Sequence, residues 1–243
     1  ICDLRYLHFL TFPTHSSSLL SSCSADKFKY LLNYLVCMVL RIGSDESLKG
    51  DTFGGMVVAA VKADDATRAL LEDMGVKDSK KLTDHRISLM ADRIKEVSQV
   101  FFVNFFPEEF NKEVALYSLT GVLNKLHTKC TNTLKSASEE VIVDQYPGCK
   151  VDGANCLTKA EDQFVEVAAA SIVARAEALK QMQELSIRAG FKLPLGSTHV
   201  LDALVRLRDK KLDFTKFTKT SFRNVQAVMN TTKQENLNNG GGI

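Results

Sequence analysis

The sequence lacks the cysteine spacings that mark a disulfide framework or a structural zinc site. Its six cysteines include no C-x-x-C pair and no cysteine–histidine spacing of the kind that holds zinc. They are Cys2, Cys23, Cys37, Cys130, Cys149 and Cys156. Because unpatterned cysteines are typical of reducing compartments, we predict a cytoplasmic protein with neither structural zinc nor a disulfide framework.

Long apolar runs are also absent. The longest, residues 30–40, contains Asn33 and is much shorter than the roughly 20 residues that a membrane-spanning helix needs. The sequence therefore predicts no transmembrane segment. It contains no internal repeat, and low-complexity sequence is confined to residues 236–243.

A strong excess of either charge is missing too, since the formal net charge is only +2. A mixed solvated surface gives the same total, so the charge alone does not identify a polyanionic partner. The distribution says more, because residues 200–225 carry seven basic side chains against three acidic ones. The basic residues are Arg206, Arg208, Lys210, Lys211, Lys216, Lys219 and Arg223. This segment is the best candidate for contact with phosphates.

The chain divides by composition into three parts. Residues 1–37 begin with Ile, contain a Ser-rich run at 16–24 and show no periodicity, so we expect a poorly structured leader that is not necessarily native. A secretory signal is the less favoured alternative, because Asp3, two histidines and the missing basic start argue against it. Residues 38–230 form the expected compact domain, and residues 231–243 the expected disordered tail.

Strand and helix patterns alternate along the compact domain. Short β-branched runs bounded by Gly or Pro predict strands, and apolar positions at helical spacing between N-cap residues and Gly predict helices. The predicted strands are 39–44, 56–61, 100–106 and 140–143, and the predicted helices are 65–74, 83–98, 108–130 and 162–187, followed by a basic helical segment. This order indicates an α/β fold with a central mixed sheet flanked by helices and a helical C-terminal segment.

Carboxylates stand where several of these elements end. Asp45 and Glu46 follow the first strand, Asp144 closes the strand at 140–143, and Glu161 precedes a helix rich in small residues. Taken singly, each has an ordinary explanation as an exposed acidic turn, a strand-end cap or a helix N-terminal acid. If the two strands are neighbours, however, the four carboxylates converge, and four carboxylates suit two hard divalent cations that hydrolyse a phosphodiester.

Four motifs in this order resemble the type 2 ribonucleases H. Residues 42–55 read IGSDESLKGDTFGG and are similar to the opening motif of ribonuclease HIII, and residues 76–82 read VKDSKKL, which resembles a signature of ribonucleases HII and HIII. Asp144-Gln145 resembles the third acidic motif. Residues 158–161, TKAE, with 168–175, AAASIVAR, resemble the fourth acid and the helix behind it. The resemblance covers residues 38 to about 230.

The resemblance implies a ribonuclease H-like fold and an endoribonuclease that cuts the RNA strand of RNA–DNA hybrids. It implies dependence on Mg²⁺ or Mn²⁺, two ions per site with substrate bound, and products with 5′-phosphate and 3′-hydroxyl ends. The implied partner is the hybrid duplex, bound by a monomer. The implied catalytic and metal-binding residues are Asp45, Glu46, Asp144 and Glu161, of which Glu161 is the least secure because Asp162 is adjacent.

Contacts with the hybrid are implied for the turn after the first strand, for the DSKKL signature and for one lysine of the basic segment. These residues are Ser47, Lys49, Gly50, Ser79, Lys80, Lys81 and Lys219. Without the resemblance, the Ser79–Lys81 run is an ordinary solvated turn. His199 is a further candidate for assistance near the site, although a lone surface histidine usually has no such role.

The subtype depends on smaller differences. Lys49 and Asp51 stand where ribonuclease HII has Arg and Pro, and no Tyr follows Ala189 to sense a junction. These features resemble ribonuclease HIII and imply cleavage within runs of ribonucleotides, recognised through 2′-hydroxyls and minor-groove shape. The alternative is incision at a single embedded ribonucleotide, as in ribonuclease HII.

Two departures from the family pattern leave a second alternative open. Leu48 replaces a turn glycine, and we expect a leucine to resist a positive φ or to crowd the substrate. Residues 1–37 are also too short for the substrate-binding domain that usually precedes the catalytic one. A nucleic-acid-binding protein of the same fold with weakened catalysis is therefore the main rival, and a nuclease of the same fold that acts on DNA is another. The retained acids and the DSKKL signature favour the ribonuclease.

Overall fold

The computed structural model of the protein describes residues 40–77, 82–136 and 139–239, with side chains described as far as residue 231. The predicted leader at 1–37 and the Ser79–Lys81 signature lie outside the described residues. Of the described helices, none combines the length and apolar character needed to cross a membrane.

A mixed sheet forms the centre, as the sequence predicted, and it has five strands, one more than the four predicted. Its strands lie in the order β3-β2-β1-β4-β5. Strands β1, β2 and β3 pair antiparallel, whereas β4 and β5 run parallel to β1. The bounds are β1 Arg41–Ser47, β2 Met56–Ala63, β3 Gln99–Phe105, β4 Glu140–Asp144 and β5 Asn155–Leu157.

The helices follow the predicted order with two differences. They are α1 Asp65–Asp73, α2 Asp84–Val97, α3 Pro107–Leu134, α4 Ala160–Gln163, α5 Val165–Ala189, α6 Leu201–Asp209 and α7 Arg223–Asn239. The helix expected at 162–187 is two helices, because Phe164 takes an extended conformation between α4 and α5. Helix α7 continues to Asn239, beyond residue 230, where we expected the compact domain to end.

Helices cover both faces of the sheet. Strand β2 is buried along its whole length, and alternate residues point to opposite sides. Val57, Ala59 and Val61 pack in the core that α1, α2 and α5 share, while Val58 and Ala60 pack with α3 on the other face. The result is a three-layer α/β/α arrangement in which β1, beside β2, is the central strand.

The sheet and α5 approach each other closely at Gly43 of β1. A Cβ atom on Gly43 would lie 2.3 Å from the backbone nitrogen of Val167 in α5. The small side chains of α5, including Ala169 and Ala170, are fully buried against the sheet. This contact fixes the start of α5 against the strand that carries Asp45 and Glu46.

One prediction about cysteines is wrong. Cys149 and Cys156 form a disulfide with an S–S distance of 2.06 Å, which closes the loop between β4 and β5. No local pattern predicts this pair, because the two cysteines have no recurrent spacing and β5, with three residues, is too short for a strand pattern. Cys130 is free and buried, and the remaining cysteines lie outside the described residues.

Candidate active site

Two of the predicted acids lie side by side at the carboxyl ends of neighbouring strands. In the parallel pairing of β1 with β4, Ser44 is opposite Val143, so the next residues, Asp45 and Asp144, emerge at the same edge of the sheet. Asp45 is only 9% exposed. Burial, then the charges of Glu46 and Asp144, raises the pKa of Asp45 well above its usual value, although a hydrogen bond from Ser171 in α5 opposes this.

Glu161 joins this pair through the short helix α4. The backbone nitrogen of Ala160 donates to Asp144 Oδ1 at 2.8 Å, and the side chains of Asp144 and Glu161 share a hydrogen bond. Burial, this hydrogen bond and the charges of Glu161 and Glu46 raise the pKa of Asp144 to about 6. Asp162, the alternative fourth acid, is exposed, so the geometry favours Glu161.

Glu46 contacts two nitrogen-bearing side chains on its own side of the site. Lys49, three residues later, donates to Glu46 Oε1, and Nε2 of His127 lies 3.2 Å from Glu46 Oε2. Burial alone raises the pKa of Glu46, but the contacts with His127 and Lys49 outweigh it, so the pKa lies below its usual value. The site therefore holds one carboxylate that is kept ionised beside two that resist ionisation.

The sequence analysis missed His127. It is fully buried on α3, where Nδ1 lies 2.8 Å from Ser44 Oγ and the ring stacks on Tyr146 at a centroid distance of 5.3 Å. In sequence, His127 stands among apolar residues at helical spacing, such as Leu123 and Cys130, and a histidine in such a pattern is usually an ordinary core residue. Only the fold brings it to Glu46.

The turn after β1 lies at the surface, as a contact with nucleic acid requires. Ser47 and Lys49 are half-buried and Gly50 is exposed. Leu48 adopts the positive φ, +66°, that we expected a leucine to resist. Its side chain is 4% exposed and packs in the core beside Gly54, so burial offsets the strain of the left-handed backbone, about 1–2 kcal/mol, and the side chain points away from the surface.

Lys219 requires a correction, because it does not lie at the surface. The side chain is fully buried, and Nζ donates to the carbonyl oxygens of Asp51 at 2.6 Å and Gly54 at 3.1 Å. Burial lowers the pKa of Lys219 to about 7. Lys219 thus supports the loop between β1 and β2, and it does not make the expected contact with the hybrid.

Other contacts tie the same loop to the C-terminal segment. Gly196 N donates to Asp51 Oδ1 at 2.5 Å, and Asn224 Nδ2 donates to Thr52 Oγ1 at 2.8 Å. His199 is exposed in the loop that precedes α6 and makes none of these contacts. Lys219, Asn224 and Gly196 therefore support the loop that follows Glu46, a role that composition alone did not reveal.

The donor set suits a hard divalent cation, although the side chains are not yet arranged as a metal site. In the part of the chain that the structure describes, no group of three or more His, Cys, Asp or Glu residues is placed to hold a metal ion. Glu46 is turned to Lys49 and His127, and Asp144 to Glu161. The donors are all carboxylates, and a cation between Asp45 and Asp144 would compensate the burial and the neighbouring negative charges that raise their pKa values.

Comparison with known proteins identifies the family. The family model described as Ribonuclease HII matches residues 42–225. Ribonuclease HIII of Limosilactobacillus fermentum is 33% identical over 211 residues, which are 79% of this chain and 70% of that protein. Ribonuclease HIII of Bacillus cereus (strain AH187) is 32% identical over 232 residues, 86% of this chain and 75% of that one.

A solved structure agrees with the sequence relatives. The crystal structure of Bst-RNase HIII in complex with Mn²⁺ superposes with a TM-score of 0.70 at 29% identity, covering 81% of this chain and 71% of that one. The match confirms the ribonuclease H-like fold that the motifs implied. The chain therefore belongs to the type 2 ribonuclease H family, closest in type to ribonuclease HIII, and is a ribonuclease H enzyme.

Proposed function

We propose that this enzyme cuts the RNA strand of RNA–DNA hybrids internally, with Asp45, Glu46, Asp144 and Glu161 as its catalytic and metal-binding residues. The observation that carries the proposal is the placement of Asp45 and Asp144 at adjacent positions on neighbouring parallel strands. Glu161 is hydrogen-bonded to Asp144, and Glu46 follows Asp45 directly. Membership of the ribonuclease HIII type supports the choice of substrate.

Mg²⁺ or Mn²⁺ is the cation that this donor set favours, since all four groups are hard oxygen donors. Two such ions, held by these carboxylates, would lower the pKa of a water molecule and stabilise the charge on the departing oxygen. A carboxylate whose pKa is raised in the absence of metal is strongly stabilised in its ionised form by a bound cation. The Mn²⁺ complex of Bst-RNase HIII is consistent with this choice.

The chain's own residues bind and orient the reactants. We assign the contact with the phosphate path to Lys49 and Gly50, with Ser47, because these residues follow the acids in sequence and are half-buried or exposed. Lys49 can exchange Glu46 for a phosphate, because its side chain is 39% exposed. Ser79, Lys80 and Lys81 are assigned to the same path by family resemblance alone. Hydrolysis forms a bond from the oxygen of water to phosphorus and breaks the bond to the 3′ oxygen, which leaves 5′-phosphate and 3′-hydroxyl ends.

We further propose that the enzyme acts as a monomer in the cytoplasm. All four acids come from one chain, so a complete site needs no second copy. The disulfide between Cys149 and Cys156 would be reduced in a glutathione-containing compartment. A cytoplasmic enzyme must therefore stay active when Cys149 and Cys156 are reduced to thiols.

Cleavage of labelled duplexes by the full chain tests the proposed function. With Mg²⁺ or Mn²⁺, we expect cuts at several positions within a continuous RNA strand paired with DNA, and 5′-phosphate ends on the products. A DNA duplex with one embedded ribonucleotide should be cut at least about tenfold more slowly, a difference of about 1.4 kcal/mol in the barrier.

Efficient incision at the single ribonucleotide would instead favour the ribonuclease HII type. Binding of the hybrid without cleavage, with either metal, would contradict the proposal and favour the binding protein with weakened catalysis. A DNA duplex without ribonucleotides is the matched control and should remain intact.

A further inference from the structure

His127 is a buried polar side chain that contacts a proposed metal-binding residue. It is 0% exposed, and its two ring nitrogens face different partners. Nδ1 lies 2.8 Å from Ser44 Oγ, and Nε2 lies 3.2 Å from Glu46 Oε2. Ser44 and Glu46 lie on the same strand, so the ring is held at two points along β1.

The direction of the hydrogen bond between Ser44 and His127 follows from the other contact of the Ser44 hydroxyl. Ser44 has one hydroxyl proton and donates it to the carbonyl oxygen of Ala59 at 2.8 Å, because a carbonyl can only accept. Ser44 Oγ therefore accepts from His127 Nδ1. The ring is then oriented with Nε2 towards Glu46 Oε2, at 3.2 Å. Ser44 thus sets the orientation in which His127 contacts Glu46.

Helix α3 also contacts the segment that follows β4, the strand that carries Asp144. The His127 ring stacks on Tyr146, two residues beyond Asp144, and the Tyr146 hydroxyl donates to Asn124 Oδ1 at 2.9 Å. Asn124 lies one turn before His127 on α3. The helix therefore spans from the strand of Glu46 to the segment after Asp144, and His127 stands at the centre of this contact.

The two oxygens of Glu46 differ in how firmly they are held. Oε1 accepts from Lys49, whose side chain is 39% exposed, whereas Oε2 faces His127, whose side chain is 0% exposed. Lys49 can swing into solvent or onto a phosphate, but His127 is enclosed by α3, β1 and Tyr146. When a cation enters, only Oε1 is free to change partner.

We propose that His127 is a positioning residue for Glu46, which holds Oε2 so that Oε1 is presented to the divalent cation when Lys49 moves away. The inference rests on the proposed function, since it takes Glu46 to be a metal ligand. Partners of metal ligands typically contribute 10–100-fold to metal affinity or activity. Because His127 is buried and contacts an oxygen of a ligand, we assign its contribution to cation binding more than to the chemical step.

Mn²⁺ binding to the full chain, measured by electron paramagnetic resonance without substrate, tests the inference. His127→Phe keeps a ring against Tyr146 but removes both nitrogens, and we expect it to weaken Mn²⁺ binding about 10–100-fold. In hybrid cleavage, the Mn²⁺ concentration for half-maximal rate should rise by a similar factor, while kcat at saturating Mn²⁺ stays within about fivefold of the original protein. His127→Gln, whose amide can donate to Glu46, should restore most of the Mn²⁺ affinity.

His85→Gln is the matched control, because His85 is exposed on α2, and its Mn²⁺ affinity should be unchanged. If His127→Phe does not fold, Ser44→Ala, which frees Nδ1, is the deciding variant, with a weakening of about 3–10-fold expected. Normal Mn²⁺ affinity in a folded His127→Phe, or in Ser44→Ala where that variant decides, would overturn the inference and leave the nuclease intact. Failure of the original protein to bind Mn²⁺ and to cut the hybrid would instead contradict the proposed function.

Discussion

Replacement of Asp144 by Asn is expected to lower the rate of hybrid cleavage by at least about a thousandfold. The substitution keeps the shape of the side chain and its acceptor for the Ala160 amide, but removes the negative charge that a cation requires. Loss of about 4 kcal/mol of transition-state stabilisation corresponds to this factor. The measurement is the initial rate with saturating Mg²⁺ or Mn²⁺, compared at equal protein concentration.

The same variant should be more stable than the original protein when no metal is present. The raised pKa of Asp144, about 6, lies above its value in the unfolded chain, so the protonated carboxyl is favoured by folding. Its contribution to stability is therefore fully present below the ordinary aspartate pKa of 3.8 and is lost as the pH rises to about 6. In chelator, Asp144→Asn should melt above the original protein at pH 7.5, and the gap should narrow as the pH falls below about 6 and close at about pH 4.

Asp152→Asn is the control, because Asp152 is exposed in the loop between β4 and β5. Its activity and melting temperature should equal those of the original protein. A folded Asp144→Asn variant with more than about a tenth of the original rate would mean that Asp144 holds no catalytic cation, since a tenfold loss is only about 1.4 kcal/mol.

Gly43→Ala is expected to destabilise the fold by about 3 kcal/mol, the upper end of the usual cost of overpacking. The new Cβ would lie 2.3 Å from the Val167 backbone nitrogen and 2.8 Å from Glu166 Cβ, and backbone atoms cannot move aside without shifting α5. For a domain of this size, the melting temperature should fall by about 6–12 °C.

Thermal unfolding of Gly50→Ala provides the comparison. A Cβ at Gly50 meets no atom within 4 Å, so its melting temperature should change by less than about 2 °C, or 0.5 kcal/mol. Equal melting temperatures for Gly43→Ala and the original protein would mean that α5 does not approach β1 as closely as described.

The central part of the fold was predictable because its signals are local. Short β-branched runs and helix caps located most elements, and Thr83 caps α2 by accepting from the backbone of Arg86. The convergence of Asp45 and Asp144 could only be stated as a condition, since it depends on β1 lying beside β4. Pairing between strands so distant in sequence leaves no local pattern, so only the structure shows that β1 and β4 are neighbours.

The supporting residues were not predictable for the same reason. His127 and Lys219 each have a local context that suggests something else, a core helix position for the first and a basic surface segment for the second. Their roles arise from contacts that span long stretches of sequence, to Glu46 and to the carbonyls of Asp51 and Gly54. Burial, which decides between a phosphate contact and a structural lysine, cannot be read from composition.

Leu48 shows how a departure from a motif can be absorbed. Sequence reasoning treated the leucine as an obstacle, because the backbone there needs a positive φ. Burial of the leucine side chain beside Gly54 offsets the cost of this backbone conformation. The expected obstacle therefore does not distort the turn that carries Lys49 and Gly50.

The most direct test of the acidic site is a crystal structure of the full chain grown with Mn²⁺ and an RNA–DNA hybrid, with anomalous difference maps at the manganese edge. The account predicts anomalous peaks within about 2 Å of oxygens from Asp45 and Asp144, with Glu46 and Glu161 among the remaining ligands and Lys49 withdrawn from Glu46. Bound hybrid without a peak between Asp45 and Asp144, at Mn²⁺ concentrations that support cleavage, would contradict it.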